Sequence, residues 1–251
     1  MAALRVITAD LHVHTCLSPC GTLDMTPQKI VAQARLMKLE MIAITDHNSA
    51  ENVGAVMRAA AGTGLVVIPG MEITTAEEAH VLGLFGTLDG ALAMQEFVYE
   101  HLTPGENDEE LFGPQVIASE LDEVEGFCTR LLIGSTDLAV DEVVAAIQQH
   151  GGIAVAAHID RESFSLPGQL GFIPPDLGLA AVEISRRLTL TEARERFPEY
   201  GHYTFVAASD AHDLNQVGCN PTRLLVAATE FAELALALAG QDGRQVMADE
   251  A

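Results

Sequence analysis

Short apolar runs alternate with amphipathic stretches along most of the chain. Residues 4–9 read as a strand, an apolar run too short for a helix. Thr26-Pro27 opens an amphipathic helix to about Lys38, with Thr26 as the expected N-cap and Pro27 at the first helical position. Met41-Ile42-Ala43-Ile44 predicts a buried strand, residues 50–61 a helix closed by Gly62, and Leu65-Val66-Val67-Ile68 a third strand. His80-Val81-Leu82-Gly83-Leu84-Phe85 predicts a fourth. Residues 88–130 break the rhythm with a helix-like stretch, an acidic loop and a second polar helix. This is expected to be a helical insertion, with a place over the domain's mouth or a purely connecting role both open. The pattern then resumes: a helix at 140–150, strands at 153–157 and 181–184, a helix at 191–197, and a strand at 203–208. A strand near 224–226 and a helix at 231–239 finish the chain.

This alternation predicts an α/β fold, a parallel sheet with helices outside. At 251 residues, α/β barrels are commonly one domain, so a single domain over 1–251 is expected, with the insertion at about 88–130.

The polar residues carry the chemistry. In Asp10-Leu11-His12-Val13-His14 the two histidines stand at i and i+2, so in an extended backbone their imidazoles point to one side. Such a pair alone is weak evidence for a metal. It gains partners, however: His47, Glu72, His158, Asp210 and His212 also sit at or next to the carboxyl ends of predicted strands, where α/β barrels build their sites. His80 differs, because it opens its strand. Imidazoles mixed with carboxylates suit zinc, manganese or iron and suit calcium poorly. Divalent metal ions are therefore the expected cofactors.

Charge and composition narrow the partners. With 13 Lys+Arg against 36 Asp+Glu the formal charge is −23, which disfavours stable binding of long nucleic acids but not a small phosphorylated substrate held by metals. Aromatic content of 5% without Trp leaves few stacking platforms for single strands. Cys16, Cys20, Cys128 and Cys219 show no C-x-x-C spacing, as expected of reduced thiols in a cytoplasmic protein. Arg5 and Asp10 interrupt the first apolar run, and Glu230 and Glu233 the last, so neither a signal peptide nor a membrane span is expected.

His12-Val13-His14-Thr15, Thr45-Asp46-His47, Gly70-Met71-Glu72, Ala157-His158 and Ser209-Asp210-Ala211-His212 resemble, in order, the motifs of the polymerase and histidinol phosphatase (PHP) family. The resemblance implies a distorted (β/α)7 TIM-like barrel, metal-dependent hydrolysis of phosphate esters and two or three divalent metal ions as cofactors. It places His12, His14, Glu72 and Asp210 on a first metal, Glu72, His80 and His158 on a second, and His47 and His212 on a third. One departure concerns that third site. Where many members carry Ser-Asp, this chain has Ser18-Pro19-Cys20-Gly21, so Cys20, or Asp24, is the expected substitute, against a site completed by water or left empty. Asp10 and Asp46 are expected to orient imidazoles. Arg161 is a candidate donor to a substrate phosphate, as are Arg186 and Arg187. His158 and His212 are candidate carriers of the proton that the leaving oxygen needs. A small phosphomonoester or a nucleotide, including 3′,5′-bisphosphates and short oligonucleotide ends, is the expected substrate. The competing expectations are a low-turnover accessory module, a histidinol-phosphatase-like enzyme, and hydrolysis of an amide or lactone.

Overall fold

The computed structural model describes residues 3–248. Its strands, in chain order, are β1 (Arg5–Val13), β2 (Met41–Ile44), β3 (Val66–Thr74), β4 (His80–Phe85), β5 (Val116–Ala118), β6 (Val124–Phe127), β7 (Gly152–Ala156), β8 (Ala181–Ile184), β9 (Phe205–Ala207), β10 (Thr222–Val226) and β11 (Gln245–Val246). The helices are α1 (Pro27–Leu36), α2 (Val53–Ala60), α3 (Leu88–His101), α4 (Glu109–Phe112), α5 (Val140–Gln149), α6 (Leu166–Leu170), α7 (Leu190–Arg196) and α8 (Phe231–Leu238). A nine-stranded sheet runs β11-β10-β1-β2-β3-β4-β7-β8-β9, and β5 pairs with β6 apart from it. The sheet nearly closes into a barrel. Just past β9, Ala211 bridges to Val13 of β1, and the His14 N–H donates to the Ala211 carbonyl at 3.0 Å.

Side-chain alternation sorts two cores. Ile7, Ala9, Leu11, Met41, Ala43, Ile68, Leu82 and Leu84 share one cluster, with Leu234 and Leu238 of α8. Ile42, Ile44, Val67, Met71 and Val81 turn the other way and pack with residues of α1, α2, α3 and α5.

The sheet corrects the expectation of an all-parallel arrangement. β1, β2 and β3 are parallel, as are β7, β8 and β9, but β4 is antiparallel to both β3 and β7. β10 and β11 are antiparallel additions beside β1. The reversal of β4 explains the odd position of His80. The first residue of an antiparallel strand lies at the end of the sheet where its parallel neighbours finish.

Other expectations shift as well. β1 and β3 run further than the apolar runs indicate, so His12 and Glu72 lie within strands. Thr26 takes the N-cap backbone conformation, but its hydroxyl is buried without a hydrogen bond. The insertion is less helical than expected: after α3 and the single turn α4, the second polar helix is replaced by the β5–β6 hairpin.

Candidate metal centre

A bulge in β1 aims the histidine pair. Asp10 aligns with Ile42 and Val13 with Ile44, so one extra residue of β1 is inserted. Ile7, Ala9 and Leu11 face the cluster around α8, whereas Val13 joins the opposite one. The inserted residue thus switches the parity of β1, and His12 and His14 face inward at the barrel's mouth. Glu72 shares its parity with Ile68, His80 with Leu82, and Glu183 with Ala181, so these also face inward.

The imidazole tautomers follow from their partners. His12 Nδ1 lies 3.1 and 3.0 Å from the two carboxylate oxygens of Glu183 and donates to them. Ser18 Oγ donates to Asp46 Oδ1 at 2.7 Å and therefore accepts from His14 Nδ1 at 2.9 Å. In the neutral rings both Nε2 atoms are then bare. They stand 3.1 Å apart, with Asp210 Oδ1 at 3.3 and 3.1 Å and Glu72 Oε2 at 3.4 Å from each. With both rings neutral, four acceptors crowd one point, a repulsive arrangement that positive charge, whether a proton or a metal ion, relieves.

Glu72 extends the cluster. Its Oε1 is 2.7 Å from His80 Nδ1 and 3.1 Å from His158 Nε2, and its Oε2 is 3.1 Å from His47 Nδ1. The Nδ1 atoms of His47 and His80 are buried and make no hydrogen bond despite these short contacts. Their lone pairs converge without being satisfied, which fits metal ligation. Among the described residues, three groups have ligand atoms within 4.8 Å of one another: His12, His14, Glu72 and Asp210; His47, Glu72 and His80; and His14, Cys20, His47 and His212. His158 reaches Glu72 but stands outside these groups.

Electrostatics in the metal-free chain tell the same story. Burial disfavours charge on His12 and His14, yet the surrounding carboxylates outweigh it, holding His12 well above its usual value and His14 up at about 9. Burial would raise Glu72 and Asp210, but the imidazoles hold both carboxyls below the usual carboxylate range. Burial holds His47, His80 and His212 down, the last to about 4. The pocket draws positive charge to its centre and keeps its outer imidazoles neutral, ready as ligands.

Cys20 lines this cavity, of about 220 Å³, together with His47, Glu72, His80, His158, Arg161, Asp210 and His212. Its loop is fixed from both sides. Gly21 donates to the Ser18 carbonyl at 2.9 Å, and Thr22 donates to the His212 carbonyl at 2.9 Å. A Cβ on Gly21 would fall 2.5 Å from the Thr15 carbonyl oxygen, so this tight turn requires glycine. Asp24, the alternative to Cys20, is exposed and pairs with Lys29 instead.

Two sequence expectations are corrected. Neither Asp10 nor Asp46 touches an imidazole. Asp46 accepts from Thr15 N–H and hydroxyl and from Ser18, and so acts on His14 only through Ser18. Asp10 accepts from Ser209 N–H and hydroxyl and from Gly218 N–H, clamping the loop that carries Asp210. The direct orienting group is Glu183, which sequence reasoning missed. Its signal was available: an acid in the apolar run Ala181-Val182-Glu183-Ile184 needs a polar partner when buried. Away from the site, His101 pairs with Asp137, His150 caps its own helix, and His202 packs on Tyr203.

A family model described as the PHP domain matches residues 10–164. The chain belongs to the PHP domain family. Within curated proteins, it is 32% identical over 109 residues to YqxK of Bacillus subtilis, covering 41% of this chain and 28% of that one. It is 38% identical over 79 residues to the 5′-3′ exoribonuclease Rnm of Salmonella typhimurium, covering 31% of this chain and 26% of Rnm. The chain thus spans about a quarter of the length of these relatives. Among solved structures it resembles the lesion-specific endonuclease PfuEndoQ of Pyrococcus furiosus, with a TM-score of 0.77 at 20% identity, covering 97% of this chain and 58% of that one. That likeness establishes the fold. The PHP match runs from within β1 to beyond β7 and takes in every ligand candidate up to His158; Asp210 and His212 follow after it.

Backbone strain gathers around the PHP centre. Asn48, His158, Phe164 and Asp210 all have positive φ, between 29° and 60°. Two of them are tied down directly: Asn48 by its side chain to the carbonyls of Leu132 and Gly134, and Phe164 by its carbonyl to His80 N–H. The Asn48 contacts also bring the segment just after the insertion to the mouth, where Ile133 lines the cavity.

Proposed function

We propose that this chain is a metal-dependent phosphoesterase acting on nucleotide-type phosphate esters: small phosphomonoesters, nucleoside 3′,5′-bisphosphates and short oligonucleotide ends. The carrying observation is the convergence of bare acceptors from His12, His14, Glu72 and Asp210. The names of the relatives, an exoribonuclease and an endonuclease, support a nucleotide ester. The charge of −23 favours short substrates over long ones.

Divalent ions bound here would supply the charge that activates water and polarises the phosphoryl group. His12, His14, Glu72 and Asp210 are proposed to hold one ion, Glu72, His80 and His158 a second, and Cys20, His47 and His212 a third. Glu183 fixes His12, and Ser18 fixes His14, each leaving Nε2 free for ligation. Arg161 stands at the rim with one guanidinium nitrogen 2.5 Å from Asp210 Oδ2, so its remaining N–H groups can donate to phosphate oxygens as negative charge develops. Burial holds His212 down at about 4, so its imidazole is available as a neutral ligand.

Metal analysis followed by a substrate panel tests the proposal. Protein loaded with zinc, manganese or iron should hydrolyse at least one of p-nitrophenyl phosphate, adenosine 3′,5′-bisphosphate or a 5′-phosphorylated trinucleotide, and D210N should abolish that activity. Metal-loaded protein inert towards the whole panel overturns it.

A further inference from the structure

A larger cavity, of about 530 Å³, adjoins the metal centre and shares Arg161 and Phe164 with it. Phe164 forms a fixed partition: its backbone is held at φ 60°, and its ring stacks on His80 with centroids 4.9 Å apart. Beyond it the wall carries Arg187, which follows β8, and Arg196, the last residue of α7. Neither guanidinium forms an ion pair with a carboxylate among the described residues. They share this with Arg35 and Arg194, and what sets them apart is their place in a cavity beside the metal centre of a chain with 36 acids against 13 bases. The cavity's own acids do not neutralise the pair. Asp160 is occupied by the Ser185 N–H and hydroxyl, both at 2.7 Å, and Glu162 is exposed. Arg196 packs over the Phe197 ring at 5.4 Å, which leaves its N–H groups without a carboxylate; two such guanidiniums in one pocket of an acidic protein select an anion, and planar N–H forks match phosphate oxygens.

We propose that this cavity binds a second phosphate group of the substrate, one that is not hydrolysed, through Arg187 and Arg196. The proposal rests on the phosphoesterase reading above and deepens it. The preferred substrate carries two phosphates, one over the metal centre and one beyond Phe164. A bisphosphorylated nucleoside and the backbone of a short oligonucleotide share this chemistry.

The test is the ratio of kcat/KM for adenosine 3′,5′-bisphosphate to that for p-nitrophenyl phosphate, and the same ratio for a 5′-phosphorylated trinucleotide. Both are measured on the full metal-loaded chain and on R187A/R196A. Because charge-assisted hydrogen bonds are worth roughly a factor of ten each, at least one ratio should fall by about tenfold to a hundredfold in the variant, chiefly through KM. Loss in the bisphosphate ratio alone assigns the site to nucleosides, and loss in the trinucleotide ratio assigns it to a nucleic-acid backbone. Unchanged ratios overturn the proposal while leaving the phosphoesterase reading intact. If the wild-type chain turns over none of the esters, that reading fails by itself. Titration calorimetry with adenosine 3′,5′-bisphosphate then decides the cavity: weaker binding to R187A/R196A supports it, and equal binding overturns it.

Discussion

Cys20 is the residue on which the third ligand group depends. It stands with His14, His47 and His212, but His14 spends its Nε2 on the first group and its Nδ1 on Ser18. That leaves one thiolate and two imidazoles, a three-ligand set with an open position. In the metal-free chain, packing and the carboxylates of Glu72 and Asp210 push the Cys20 thiol up, so only a cation would make it a ligand. Cobalt-loaded protein should therefore show a thiolate-to-cobalt charge-transfer band that C20S lacks, with bound metal falling by about one ion per chain. D24N should keep both, since Asp24 is engaged with Lys29. A C20S protein with unchanged spectrum and stoichiometry removes Cys20 from the site. Glu183 gives the second prediction at this scale. It fixes the tautomer of His12, so E183Q should weaken metal binding by about tenfold to a hundredfold, read by competition with a chromogenic chelator. Unchanged affinity would show that packing alone orients the ring.

Strands set the geometry that these residues use, and close backbone approach is part of it. Gly70 lies in β3, two residues before Glu72, where an added Cβ would come within 2.9 Å of the Gly83 carbonyl oxygen, 3.0 Å of Thr45 and 3.1 Å of the Ile44 carbonyl oxygen. G70A should cost about 1–3 kcal/mol and lower Tm by roughly 2–10 °C, because rigid backbone on both neighbouring strands cannot yield. A calorimetric scan without that shift would mean that β3 can move away from β2 and β4. The element scale also shows what the amino-acid pattern could and could not convey. Strand and helix order followed from apolar periodicity, and β8 lies on its expected residues. The ligand candidates followed from their positions at strand ends. The bulge in β1 was invisible, since Leu11-His12-Val13 alternates as any strand does and only pairing with β2 shows the extra residue. The reversal of β4 was equally hidden, because strand direction is a tertiary property. The β5–β6 hairpin read as a helix because its acids obscure a short alternation, Val124-Glu125-Gly126-Phe127.

Across the whole molecule, the ligand candidates come from β1, β3 and β4 and from the loops after β1, β2, β7 and β9, so bound metal would tie the first strand of the barrel to its last. That seam is otherwise held by scattered hydrogen bonds rather than a continuous strand ladder. Beyond the bridge between Val13 and Ala211, it relies on Asp10 gripping Ser209 and Gly218, on Thr222 exchanging hydrogen bonds with Ala207, and on Thr22 N–H donating to the His212 carbonyl. The unfolded chain cannot present such a ligand set at one point, so metal affinity becomes folding free energy. Each ion at a free concentration of 1,000 times its dissociation constant should add about 4 kcal/mol. For a chain of this size that corresponds to roughly 8–16 °C in Tm per occupied site. The comparison is between protein stripped by a chelator and protein with zinc or manganese restored, scanned at equal ionic strength. D210N should lose most of the increment that its ion provides, because it removes a ligand from the last-strand side of the seam. If stripped and loaded protein melt together, metals do not clamp the barrel, and the closure at Ala211 holds without them.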